Sequence, residues 1–174
     1  MKNILYIHGL GSDKSSRKFL DLQLFLKNTF QYHCLEWKIT DNISELIQIF
    51  NQKFINENDL IIIGDSTGAN FAYQLREIRN LNSLSSKLIV LSPLLNLEFR
   101  IATFDFPDSL KKYLINVLYP ENLLIIAGTN DEIIDQSYWF NNKFNNTIVK
   151  PVDDTHRLPN FVNYLSIIKY YVDL

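Results

Sequence analysis

Residues 59–70 read DLIIIGDSTGAN, and this stretch decides the fold. Leu60 and the three isoleucines at 61–63 leave no polar position to turn toward water. Such a run predicts a strand buried on both faces, as in a parallel sheet covered by helices. Gly64-Asp65-Ser66-Thr67-Gly68 follows and fits G-x-S-x-G. Helical spacing then runs from about residue 69 to 78. In that strand–turn–helix setting the serine sits on a strained turn and projects into a cleft. Small residues two before and two after it let strand and helix approach closely. Ser66 is therefore the candidate nucleophile, and the Thr67 amide, at a helix N-terminus, a candidate oxyanion donor. The competing reading is a glycine-containing turn with a capping serine.

Working outward, apolar runs at residues 3–7, 87–91 and 123–127 predict three more buried strands. Residues 32–39 alternate roughly and predict another. Residues 147–152 predict a sixth, at a sheet edge because Pro151 interrupts it. Helices are expected at 17–30, 109–118, 134–144 and 161–172. A further helix carries Ile43, Leu46, Ile47, Phe50 and Phe54 at spacings of three and four, with Asp41 as its cap. Strands alternating with helices give an α/β class: about six mostly parallel strands with helices on both faces. At 174 residues the chain suits a single domain over 1–174.

In such sheets a site forms beyond the carboxyl ends of the strands. The loops there supply a serine, an acid and a histidine in the order Ser66, Asp131, His156. A serine hydroxyl needs a base to take its proton, and imidazole titrates in the right range. Of the three histidines, His33 falls within a strand pattern and His8 within the first loop, which leaves His156. Arg157 beside it reads as a solvated loop arginine or as a contact for a substrate anion. Asp131 is placed to accept the second imidazole N–H, with Glu132 and Asp135 as rivals. Asp153 and Asp154 precede His156 too closely to reach its ring and read as a turn. After the first strand, His8-Gly9-Leu10-Gly11-Ser12 offers the Leu10 amide as the second oxyanion donor. That loop lacks the Gly-Lys-Ser/Thr of a phosphate loop and does not match G-x-G-x-x-G.

Composition narrows the field. Net charge is −2 and the basic residues are scattered, which argues against nucleic acid or anionic lipid as partners. The single cysteine, Cys34, excludes an intrachain disulfide and favours a reducing compartment. The sequence shows no signal-peptide pattern and no run near the roughly 18 apolar residues of a membrane span, so the cytoplasm is expected. One cysteine and three scattered histidines give no metal site.

ILYIHGLGS (4–12), IIIGDSTGAN (61–70), LIIAGTNDEII (124–134) and DDTHRL (153–158), in that order, resemble the α/β-hydrolase superfamily. Within it the chain is similar to small, nearly lidless esterases of the bacterial YqiA type. It also resembles the retinoblastoma-binding-protein-9 type of serine hydrolase, most clearly at 61–69. The resemblance implies a single-domain α/β-hydrolase fold with minimal or no lid. It also implies a Ser66–Asp131–His156 triad, Leu10 and Thr67 amides as oxyanion hole, esterase activity on short acyl esters, and no cofactor. Two departures stand out. The antiparallel first strands of larger relatives are absent. Asp65 precedes the nucleophile where many relatives have histidine; its charge is expected to slow attack or raise the His156 pKa. Residues 92–120 are where larger relatives insert a lid. Here their apolar side chains form an open acyl wall or simply cover the sheet.

The expected partner is a small-molecule ester, with no nucleic acid or membrane; monomer and homodimer are both open. The alternatives are a thioesterase, amidase or acyltransferase using the same triad, a partner-binding protein on a hydrolase scaffold, or a nucleotide binder at the glycine loop.

Overall fold

A computed structural model describes residues 1–173. Six strands form one sheet: β1 (Lys2–Ile7), β2 (Phe30–Leu35), β3 (Leu60–Asp65), β4 (Ser86–Leu91), β5 (Leu123–Gly128) and β6 (Ile148–Val152). Their order is β2-β1-β3-β4-β5-β6, and every neighbouring pair is parallel. The six expected strands are therefore all present, and β6 lies at an edge.

Side-chain alternation divides the core between the two faces. Leu60, Ile62, Leu88, Val90, Leu123 and Ile125 face one layer, covered by α2 (Ile43–Lys53) and α3 (Thr67–Leu81). Ile61, Ile63, Ile89, Leu91, Leu124 and Ile126 face the other, covered by α1 (Arg17–Leu26) and α6 (Leu165–Asp173). Both faces of β3 are buried, as its unbroken aliphatic run requires.

The chain steps from β1 outward to β2, crosses back to β3, and then proceeds to β6. Strand order thus reverses between β1 and β3, and in sheets of this kind the crevice forms at that switch. Gly68 sits in this crevice. A Cβ there would lie 2.3 Å from the carbonyl oxygens of both Ile7 and His8, so only glycine lets α3 meet the end of β1 this closely.

Several elements depart from their sequence expectations. The second strand covers Phe30–Leu35 rather than 32–39, because its partner β1 offers only six residues, with Lys2 opposite Phe30 and Ile7 opposite Leu35. The first helix ends at Leu26 and passes into a 3₁₀ turn, Lys27–Thr29. Asp41 does not cap α2. Its carboxylate accepts from the Lys38 amide, while Asn42 accepts from the Glu45 amide as the true N-cap. The helix expected at 109–118 shrinks to α4 (Asp108–Lys111), and the one at 134–144 to α5 (Ser137–Asn141). In the first case tertiary hydrogen bonds claim the backbone: Asn70 Nδ2 donates to the Ile115 carbonyl, Asn70 Oδ1 accepts from the Ile115 amide, and Gln74 donates to the Tyr113 carbonyl.

Residues 92–120 carry no cap domain. They form a wall laced to the body by those bonds, by the Ile101 amide donating to Ile133 and by the Asp135 amide donating to Phe99. Leu94, Leu95 and Phe106 are buried in the core, whereas Ile101 and Phe104 are exposed. No helix among the described residues is long and apolar enough to cross a membrane.

Candidate active site

Ser66 follows β3 with φ 51°, ψ −117°, a left-handed conformation rare for a side chain bearing a Cβ. Surrounding bonds hold it there. Its amide donates to the Leu91 carbonyl, and its own carbonyl accepts from the amides of Ala69 and Leu94. Gly64 is required beneath this turn, since a Cβ would come within 2.5 Å of Ala69 Cα.

The structure brings Ser66, His156 and Asp131 together from the ends of β3, β6 and β5. His156 Nε2 lies 2.9 Å from Ser66 Oγ. His156 Nδ1 lies 2.8 Å and 3.0 Å from the two oxygens of Asp131. The Asp131 side chain is 1% exposed and that of His156 12%. The chemistry of the partners fixes the tautomer. An ionised carboxylate only accepts, so Nδ1 carries the hydrogen and Nε2 keeps its lone pair for the serine O–H.

Asp131 is held by more than the histidine. Oδ1 accepts from the amides of Ile133 and Ile134, and Oδ2 accepts from Gln136 Nε2 at 2.9 Å. Burial alone would push this carboxyl up. The hydrogen bond and charge of His156, together with the two amides, outweigh burial and hold it below its ordinary value. The rival acids are engaged elsewhere. Glu132 accepts from the backbone amide of His156, and Asp135 from the amide of Ser137.

The histidine loop has its own anchor in Asp154. Its buried carboxylate accepts from the Thr155 and Asn160 amides and from the Tyr164 hydroxyl. Gly128 lets β5 pass beneath, since a Cβ would lie 2.3 Å from the Asp154 carbonyl oxygen. The turn expected at Asp153-Asp154 is therefore a brace for His156.

His8 organises the loop after β1. Its Nδ1 donates to the Gly9 carbonyl and its Nε2 accepts from the Trp37 amide, while Trp37 Nε1 donates to the His8 carbonyl. The two rings stack with an interplanar angle of 1°. Leu10, just beyond, lines both cavities that adjoin Ser66. Thr67 is the first residue of α3, so its amide has no carbonyl partner within the helix.

Asp65, expected to add negative charge beside the serine, is paired with a buried cation. Lys18 Nζ lies 2.6 Å from Asp65 Oδ1, with both side chains 9% exposed, and the Tyr6 hydroxyl donates to Oδ2. The carboxylate is consumed by this buried pair. Sequence reasoning missed Lys18, Gln136, Asp154 and the tie from His8 to Trp37. Each works through a partner remote in sequence or through an unremarkable side chain, and proximity to a strand end marked only His8, Trp37 and Asp154. Among the described residues, no group of three or more His, Cys, Asp or Glu is arranged to hold a metal ion.

No protein-family model matches the chain, and no curated protein matches its sequence. Solved structures do match its shape. Mouse alpha/beta hydrolase domain-containing protein 10 superposes with a TM-score of 0.72 at 12% identity, covering 98% of this chain and 89% of that one. A monoacylglycerol lipase from Paleococcus ferrophilus gives 0.70 at 14% identity, covering 98% and 94%. The RedJ thioesterase of the prodiginine pathway in Streptomyces coelicolor gives 0.71 at 11% identity, covering 97% and 85%. The fold is that of the α/β hydrolases, reached here with six parallel strands and no cap domain.

Proposed function

We propose that the chain is a serine hydrolase that cleaves short-chain carboxylic esters through an acyl-enzyme. The observation that carries this reading is the unbroken line from Ser66 Oγ through both nitrogens of His156 to the buried Asp131 carboxylate. Ser66 attacks the ester carbonyl as His156 Nε2 removes its proton. The charge that develops on the carbonyl oxygen is stabilised by the amides of Leu10 and Thr67. The imidazolium returns its proton to the departing alcohol, and Asp131 stabilises the cation without accepting the proton. Water, activated by the same histidine, then releases the acid.

The two cavities beside Ser66 support an acyl-transfer site, and the fold shared with a lipase and a thioesterase supports a hydrolase. A thioester would meet the same nucleophile and base. The thioesterase among the neighbours keeps that second reading open, and paired ester and thioester substrates with one acyl group separate the two.

The test is covalent. A fluorophosphonate probe should label wild type at Ser66, and Ser66→Ala should lose both labelling and turnover of p-nitrophenyl butyrate while melting as wild type does. An alanine variant that keeps its activity rejects the assignment. A folded wild type that neither labels nor turns over any ester favours a partner-binding role on this scaffold.

A further inference from the structure

Two cavities meet at Ser66 and His156, and their linings differ in kind. The smaller, about 250 Å³, is walled by Leu94, Phe104, Phe106, Ile133 and Ile134. The larger, about 350 Å³, is walled by the 9–12 loop, by Ser16, Arg17 and Lys18 at the start of α1, and by Asp65. Arg157 borders both.

The charges of the larger cavity do not cancel. Lys18 is spent on Asp65. Arg17 donates to the carbonyls of Leu158, Pro159 and Arg157, which fixes the segment bearing Arg157, and it approaches Asp21 only at 3.8 Å. Arg157 is exposed, and among the described residues its guanidinium makes no hydrogen bond or ion pair. The first turn of the ten-residue α1 carries no acidic side chain and Ser16 makes no side-chain cap, so that helix supplies no anion of its own at the end that borders the cavity. In the smaller cavity the only other cation is Arg100. It is engaged by the carbonyls of Ala102 and Phe104 and lies over the Phe104 ring, so it serves as wall.

We infer that the two cavities divide the substrate: the acyl group enters the apolar one, and an anionic leaving group, a carboxylate or phosphate, occupies the larger one against Arg157. This rests on the serine-hydrolase reading above. Binding an anion to a free guanidinium forms a charge-assisted hydrogen bond that a neutral alcohol lacks. The structure thereby assigns the substrate class as esters of apolar acids with negatively charged alcohols.

The experiment compares three butyryl esters, of 3-hydroxybenzoate, of its methyl ester, and of phenol bearing a 3-phosphate. Each kcat/KM is divided by the rate of spontaneous alkaline hydrolysis. Wild type should favour at least one anionic ester over the neutral one by about tenfold, chiefly through KM, as one charge-assisted bond implies. The preference should shrink as ionic strength rises. Arg157→Gln should bring the anionic-to-neutral ratio close to one, and Arg157→Glu should invert it. Equal use of all three esters by wild type, or a ratio that survives in Arg157→Gln, overturns the inference and leaves the hydrolase reading intact. Failure of wild type on all three, together with no fluorophosphonate labelling, removes the hydrolase reading itself.

Discussion

Replacing Asp131 with asparagine exchanges one acceptor for a donor, and the surroundings determine where that donor goes. Oδ1 accepts two backbone amides at 2.9 Å each, which an amide oxygen can still do. The new NH₂ must then occupy the Oδ2 position, facing His156 Nδ1 at 2.8 Å and Gln136 Nε2 at 2.9 Å. Gln136 can turn its amide, because its buried Oε1 has no partner in the wild-type structure. His156 can satisfy the new donor only by moving its hydrogen to Nε2. That hydrogen then points at Ser66 Oγ, and the base is lost. The structural cost should therefore be small, about 1 kcal/mol or a Tm change of a few degrees. The catalytic cost should be about 10⁴ in kcat, or ~5 kcal/mol of barrier. Steady-state kinetics on p-nitrophenyl butyrate alongside a thermal melt measures both. Acid adds a second arm. The fold holds the Asp131 carboxyl below its ordinary value, so its contribution to stability is full above about pH 3.9 and disappears as pH falls through the folded value. Urea midpoints of wild type and Asp131→Asn should therefore converge in strong acid. A folded variant within tenfold of wild-type kcat would refute the tautomer argument, and equal activity losses in Glu132→Gln or Asp135→Asn would show that the wrong acid was chosen.

Lys18→Met should destabilise the protein by about 3 kcal/mol or more, because it leaves the Asp65 carboxylate buried without its cation. Adding Asp65→Asn should restore most of that loss, and denaturant melts of the single and double variants test the coupling. Gly68→Ala should lower Tm by several degrees, since a Cβ 2.3 Å from two backbone carbonyl oxygens must force α3 away from β1, an overpacking cost of about 1–3 kcal/mol. An unchanged melt would mean that this contact yields more easily than backbone should.

The sheet was legible because fully buried parallel strands must be apolar at consecutive positions, and few other elements of five or six residues are. The serine turn was legible because Gly64 answers a local steric demand against Ala69 and Gly68 marks a close backbone approach, there to Ile7 and His8. The short helices were not. Residues 112–117 have helical spacing, yet the Tyr113 carbonyl and the Ile115 amide and carbonyl are taken by Gln74 and Asn70, partners about forty residues away. Asp41 and Asn42 are both good caps on paper, and only the path of the preceding turn decides between them. The three residues that meet at the site could be named from the G-x-S-x-G turn, the choice among three histidines and the strand ends, with Glu132 and Asp135 left as rivals to Asp131. Their supports could not, because a buried lysine, a glutamine and a loop aspartate acquire their roles only from neighbours that folding delivers.

The wall formed by residues 92–120 is fastened to α3 at one side and to residues 133–135 at the other. On the acyl-enzyme reading proposed above, an incoming acyl chain would meet a wall already tied in place on two sides. Such a site would select by static fit and charge, since, among the described residues, 92–120 form a fixed wall and no cap domain covers it.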